Sequence, residues 1–482
     1  MNQKFVFYTF GRIVQTIGLL MLLPAVVSLV YKEYISLFAF LVTIVGSLVA
    51  GTLISVIFKT KNNVIYAKEG FALVSLAWLG MSAIGALPYV ISGEIPSYID
   101  ALFETVSGFT TTGASILRDV EAMSHGMLFW RSFAHWVGGM GVLVFVMAVV
   151  SNMTDRSIHI MRAEMPGHVV GKLVPRGSDT AKILYLIYIV MTFVQIIMLY
   201  AGGMPLFDSI LHTFGSAGTG GFGIKSNGLA GYNSYCQNVI ATFMLLFGIN
   251  FNLYYLLLIK RFRAVFASTE LWTYLGIVAV SVVCIALNIL PLYENFADSF
   301  RLAYFQVSSI ITTSGFSTAD FNLWPSLSKG ILLMLMFTGG CAGSTAGGLK
   351  ISRVVILFKL ILREIKHMLH PRAVTSVKFE GKAVDNHTLN SVSTYFAFYA
   401  LCLFGTFLVI CFEPFGFETN FTAAVATFNN VGPGLGAVGP YGGFADYTAF
   451  SKLVFTGAML LGRLEIFPLI IALSPSTWKR SR

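Results

Sequence analysis

The chain has 482 residues, 56% hydrophobic and only 11% charged, with a mean hydropathy of +0.76 and a formal net charge of +10. An ordinary soluble domain carries about 25% charged residues, so 32 basic and 22 acidic side chains cannot clothe the several soluble domains this length would need. A soluble enzyme, a disordered chain and a disulfide scaffold are excluded, and an all-α polytopic membrane protein remains.

Lys4 and Arg12 precede an apolar run of spanning length with no small-residue cleavage site, which predicts a first membrane helix and not a removable signal. Apolar runs of about 20 residues mark membrane helices; here they lie near 13–30, 35–57, 71–92, 126–150, 181–202, 236–259, 272–291, 328–349, 394–412 and 450–473. They predict ten crossings, with both ends on one side. Segments 1–12, 58–70, 152–182, 259–271, 350–393 and 474–482 hold 24 Lys and Arg, against 7 in the opposite loops and run edges. The positive-inside rule therefore places both termini in the cytoplasm and accounts for the net charge without nucleic acid. Cys236, Cys284, Cys341, Cys402 and Cys411 show no metal-ligand spacing, nor do His135, His159 and His168; His125 and His212 read as interfacial.

Four segments on the outer side, 97–110, 205–216, 296–310 and 418–429, are too short to cross. Each precedes a stretch rich in Gly, Thr and Ser. Registered on Gly113, Gly221, Gly315 and Gly432, these stretches read Thr110-Thr111-Thr112-Gly113, Gly218-Thr219-Gly220-Gly221, Thr312-Thr313-Ser314-Gly315 and Asn429-Asn430-Val431-Gly432. The repeats lie 108, 94 and 117 residues apart. Each has a span before it, a half-helix and a span after it, so eight crossings form four units and the first two are extra. Non-helical backbone at membrane depth must be buried in protein or line a watery cavity. Four glycine-bearing strands around one axis could present rings of carbonyl oxygens to a dehydrated monovalent cation. The C-terminal dipoles of the half-helices would favour that cation. Glycines that merely let helices approach are the plainer alternative.

The four stretches and their flanking spans resemble the Trk/Ktr/HKT superfamily of potassium-uptake proteins over essentially the whole length. The resemblance implies a K⁺-channel-like fold and gives the sixteen residues just named the role of a K⁺ filter. The fourth copy, followed by Pro433, fits least well. It also implies K⁺ as the transported ion, a bacterial inner-membrane location, and a homodimer with one pore per chain. The resemblance further implies a separate cytosolic ring of nucleotide-binding regulatory subunits docking on the basic cytoplasmic face; the chain itself has no Walker A or dinucleotide motif and reads as no enzyme. No organic cofactor is expected. The alternative mechanism is a Na⁺- or H⁺-coupled symporter with alternating access. Repeats in the same orientation around one axis and a near-absence of buried acids suited to a proton relay argue against it.

Residues 328–370 as one helix would be about 65 Å long, twice the hydrocarbon core. The run is broken by Thr338-Gly339-Gly340-Cys341-Ala342-Gly343-Ser344-Thr345-Ala346-Gly347-Gly348, five glycines in eleven residues. Glycine costs about 1 kcal/mol per helix position, so the helix should unwind below the filter. The family has an intramembrane loop here, which implies a gate; a tight helix crossing is the alternative. Arg463, charged in mid-span, is expected to face this loop, and Lys350 to touch it or to end the helix in an ordinary way. Glu465 is expected to point away from Arg463, and Arg353 reads as an ordinary cytoplasmic-end residue. Asp100, Glu104, Asp208, Asp298 and Glu418 read as half-helix caps, with cation attraction at the outer mouth as the alternative.

Leu173-Val174-Pro175-Arg176-Gly177-Ser178 matches an engineered protease recognition site and is set aside as an insertion. The basic 350–393 connector suits anionic membrane lipid or a cytoplasmic partner. The expected division is 1–70 for the extra helices, 71–152 for unit one and 153–260 for the connector and unit two. Unit three takes 261–370 with loop 338–348, and unit four 371–482.

Overall fold

The computed structural model describes residues 2–60, 67–141, 177–372 and 375–478. His159, His168, the stretch 142–150 and residues 173–176 lie outside them. The architecture is all-α and polytopic, apart from a two-strand hairpin pairing Lys378–Phe379 with Lys382–Ala383.

Two extra helices come first. Gln3–Val30 and Tyr34–Ile57 are both long and apolar enough to cross a membrane. They pack where Gly11 meets Gly51 and Gly18 meets Ser47, since only small residues let two backbones come so close. Inside the second helix, Thr43 Oγ1 and Ser47 Oγ donate to the carbonyls of Ala39 and Thr43, four residues back, at 2.8 and 2.7 Å. Outward, Leu22, Val45, Leu53 and Ile57 stay exposed, as lipid contact requires.

Four units follow, each a leading helix, a half-helix, a glycine strand and a trailing helix. The leading helices are Ala67–Gly85 with Leu87–Ser92, Gly177–Ala201, Thr269–Ile289 and Asn386–Ile410. The half-helices are Tyr98–Phe109, Leu206–Gly218, Phe296–Ile311 and Phe417–Phe428, close to the expected segments. Asp100, Asp208, Asp298 and Glu418 sit in their first turns, where carboxylates meet the positive end of the dipole. Each trailing helix packs against the half-helix of the following unit, and the fourth packs against the first, so the units close into a ring.

The expected crossings are not all straight helices. Among the described residues, six helices are long and apolar enough to span, and two more pairs qualify only if bent pairs are joined. The trailing helix of unit two turns by 90° between Phe247 and Phe251, and that of unit four by 117° between Arg463 and Phe467. The expected break in unit three is there, between Thr338 and Ile351. The unforeseen breaks have local causes. Asn250 caps a new helix by accepting from Asn252 N–H at 3.0 Å. Glu465 and Ile466 adopt φ of 54° and 65°, ahead of Pro468 in the first turn of the next helix.

At the Gly11–Gly51 crossing, a Cβ on Gly51 would lie 2.6 Å from the Gly11 carbonyl oxygen and 2.7 Å from Gln15 Cγ. Gly51→Leu should cost about 1–3 kcal/mol by overpacking and lower the thermal midpoint of the detergent-solubilised protein. An unchanged midpoint would show that the two helices part freely.

Candidate functional site

The half-helices all point their C-termini at one centre, and the strands leave them in one way. Thr111, Thr219, Thr313 and Asn430 take left-handed φ of 55°, 57°, 54° and 56°, and the glycines two places on take 80°, 72°, 81° and 97°. Such backbone costs a β-carbon residue about 1 kcal/mol or more. It is held by four equivalent hydrogen bonds. Thr112 N–H donates to Ser107 O at 2.9 Å, and Gly220, Ser314 and Val431 N–H donate to Gly215, Ser309 and Ala426 O at 2.8 Å each. The amides are thus spent on the half-helices. No hydrogen bond among the described residues ends on the carbonyls of Thr112, Gly220, Ser314 or Val431.

Glycine is required here by space as well as by φ. A Cβ on Gly113 would collide with the Gly220 carbonyl, on Gly221 with that of Ser314, on Gly315 with that of Val431, and on Gly432 with that of Thr112. Each strand rests on the next, and the fourth rests on the first. The side chains are less regular. Thr110 and Thr112 share a hydroxyl contact of 2.8 Å, and Thr312 and Ser314 one of 2.9 Å, where unit two has only Gly218 and Gly220. In unit four, Asn430 Nδ2 donates to Thr112 Oγ1 at 2.9 Å, and Tyr399 OH donates to Asn429 Oδ1 at 2.7 Å. A cavity of about 180 Å³ opens beyond the glycines, lined by all four.

The loop of unit three lies against the opposite end of this ring. Gly347 N–H donates to Thr313 Oγ1 at 2.6 Å, and a Cβ on Gly347 would sit 2.6 Å from the Asn429 carbonyl oxygen. Gly339, Gly343 and Gly348 take positive φ, as does Lys350 at 74°. The carbonyls freed by the bend in unit two receive the loop: Cys341 N–H donates to Gly248 O at 3.0 Å, and Thr345 Oγ1 to Phe247 O at 3.2 Å. Ala342 N–H donates to Glu270 at 2.7 Å, Ser344 Oγ to Cys341 O at 2.6 Å, and Ile351 N–H closes on Gly340 O at 3.0 Å.

Arg463 fastens the loop from the side. Its guanidinium donates to Thr345 O at 2.8 Å and to Gly138 and Gly139 O at 2.6 and 2.9 Å. The last two are carbonyls at the C-terminus of the unit-one trailing helix, where a cation is favoured. Lys350, only 2% exposed, donates to Ala346 O within the loop. It is therefore part of the loop and no ordinary helix end. Nor is Arg353 an ordinary helix end: buried over the Tyr395 ring at 4.1 Å, it pairs at 2.6 Å with Glu465.

One sequence expectation fails. Glu104 caps nothing; it lies buried in mid-helix, paired with Arg131 at 2.5 Å. Glu69, Glu104, Glu270 and Glu413 are all buried, each accepting hydrogen bonds. His212 is fully buried, against Tyr232. Asp100, 2.7 Å from buried Lys452, and Asp298, 2.8 Å from Arg301, are partnered where they stand. Arg131 and Lys452 were the missed signals, as basic residues inside otherwise apolar spans.

The family model described as TrkH, cation transport protein, matches residues 36–269 and 265–480. The chain is 36% identical to the Trk system potassium uptake protein TrkH of Salmonella typhimurium, covering 98% of this chain and 99% of that one. It is 35% identical to TrkG of Escherichia coli K12, covering 97% of each. The crystal structure of the potassium transporter TrkH from Vibrio parahaemolyticus superposes with a TM-score of 0.88 at 31% identity, over 99% of this chain and 100% of that one.

Arg463→Gln removes a charged donor from Thr345 O, a bond class worth about 1.5–3 kcal/mol. Amide exchange in residues 343–348 should accelerate at least about tenfold while the helix Ser326–Thr338 keeps its protection. Equal rates in both proteins would free the loop of any dependence on Arg463.

Proposed function

We propose that this chain, which belongs to the TrkH family of cation transport proteins, takes up K⁺ by channel-like translocation through a backbone-carbonyl filter. The observation that carries the reading is the closed ring in which each glycine strand lies on the carbonyl before the next glycine. Amides committed to the half-helices leave the carbonyls to replace the water around a bare cation. The filter set is Thr110–Gly113, Gly218–Gly221, Thr312–Gly315 and Asn429–Gly432. K⁺, and Rb⁺ with it, is the cargo.

The loop is read as the gate. Gly339, Gly340, Gly343, Ser344, Thr345, Gly347 and Gly348 provide a segment that lies under the ring and is free of bulk. Arg463 and Lys350 add two positive charges beneath it, which raise the barrier to a cation until the loop moves. The buried acids are held by hydrogen bonds, Glu104 also by Arg131, which supports a passive path over a proton relay. The domain division from the sequence goes with this reading.

The wider assignment is a bacterial inner membrane, both termini cytoplasmic, a homodimer with a pore in each chain, and a regulatory ring of nucleotide-binding subunits. Relatives named for a Trk system support a multi-component uptake machine, and the basic connectors give an acidic partner a place to dock.

Growth rescue of a host lacking K⁺ uptake tests the filter. Gly113→Asp places a carboxylate against the Gly220 carbonyl and should cut uptake at least about a hundredfold, the scale set by a misplaced buried charge. Normal rescue would remove Gly113 from the path. Bilayer recording of the purified protein tests the mechanism: discrete currents reversing at the K⁺ equilibrium potential are expected. Strict dependence on a Na⁺ or H⁺ gradient would replace the channel by the coupled carrier.

A further inference from the structure

Nine residues before the four filter glycines stand Glu104, His212, Gln306 and Ala423, all buried behind their strands. Their surroundings differ sharply. Glu104 accepts from Arg131 Nε at 2.5 Å, Ser115 Oγ at 3.0 Å and Ile116 N–H at 2.9 Å, pinning the outgoing end of strand one. His212 Nε2 meets Tyr232 OH at 3.3 Å. The Gln306 amide has no hydrogen-bond partner among the described residues, and Ala423 has none to make.

Arg131 also reaches out of its own unit. Its Nη1 donates to Gly223 O at 2.9 Å, its Nη2 to Ser115 Oγ at 3.1 Å, and its guanidinium lies 3.7 Å from the centre of the Phe222 ring. One helical turn on, His135 Nδ1–H donates to Gly108 O at 2.7 Å while Nε2 accepts from Phe222 N–H at 3.3 Å. Only the neutral imidazole carrying its proton on Nδ1 makes both bonds. The trailing helix of unit one thus grips Phe222-Gly223, the two residues after Gly221, as well as strand one. Among the described residues, the hydrogen bonds on the exit of strand three come from neutral groups: Ser309 Oγ donates to Phe316 O at 2.6 Å, and Leu229 N–H to Ser317 O at 2.9 Å.

We propose that Arg131 and His135, braced by Glu104, are positioning residues that lock the spacing of the first and second strands and so set discrimination between K⁺ and Na⁺ on that side of the ring. Na⁺ is the smaller ion, and a ring able to contract would coordinate it. A planar fork bridging the two strands through fixed hydrogen bonds resists contraction as a flexible ammonium does not. The proposal rests on the filter reading above.

The test is the Na⁺/K⁺ permeability ratio from reversal potentials of purified protein in bilayers, with the thermal midpoint measured in parallel. Arg131→Gln and Glu104→Gln should each raise the ratio about tenfold, the scale of one lost charge-assisted bond. Arg131→Lys should fall between them and the unsubstituted protein. A ratio that does not move in folded Arg131→Gln overturns the proposal, even if K⁺ flux falls. Should that variant fail to reach the membrane, His135→Asn carries the same expectation, and an unmoved ratio there overturns it equally. Failure of the filter reading looks different, because uptake would then survive Gly113→Asp.

Discussion

Backbone that leaves the helical form inside a membrane must find a place for every amide and every carbonyl. This chain meets that demand four times with one division of labour. Amides fold back onto the half-helix that precedes them, and no hydrogen bond among the described residues ends on the carbonyls of Thr112, Gly220, Ser314 or Val431. The left-handed residue two places before each glycine makes the division possible, and the glycine lets the next carbonyl come close. Threonine serves as that residue in three strands and asparagine in the fourth, which is no steric preference. Its strain is tolerated because the half-helix hydrogen bonds and the neighbouring strand determine it from both sides.

The same rule governs the other face. Breaking a helix frees carbonyls, and several of those freed here are taken by other elements. Phe247 and Gly248 take the amides and hydroxyl of the unit-three loop; Gly138, Gly139 and Thr345 take Arg463. The loop is therefore no loose tether. It is a second layer of irregular backbone, built on the bends of its neighbours and stacked against the ring through Gly347.

The repeat was legible in the sequence because glycine at a fixed place after a short amphipathic segment is a local signal, and four copies reinforce one another. The unwound stretch after Thr338 was legible for the same reason. The bends at Gly248 and Glu465 were not. Hydropathy averages over a window, and Leu, Ile and Phe continue across both breaks. Glu104 was misread because four acids near half-helix starts suggested a fifth cap, and nothing local announces Arg131, 27 residues away. Burial of Lys350 was equally hidden, since its cytoplasmic register looks like every other lysine at a helix end.

Asn430 and Thr112, 318 positions apart along the chain, are joined by a side-chain hydrogen bond, and Gly432 seats on the Thr112 carbonyl. The quarter made earliest by the ribosome thus completes its contacts only with the quarter made last. Until then the nascent protein is an open horseshoe with a flank awaiting its mate. Premature termination before the last quarter leaves an arc without the contacts that close the ring.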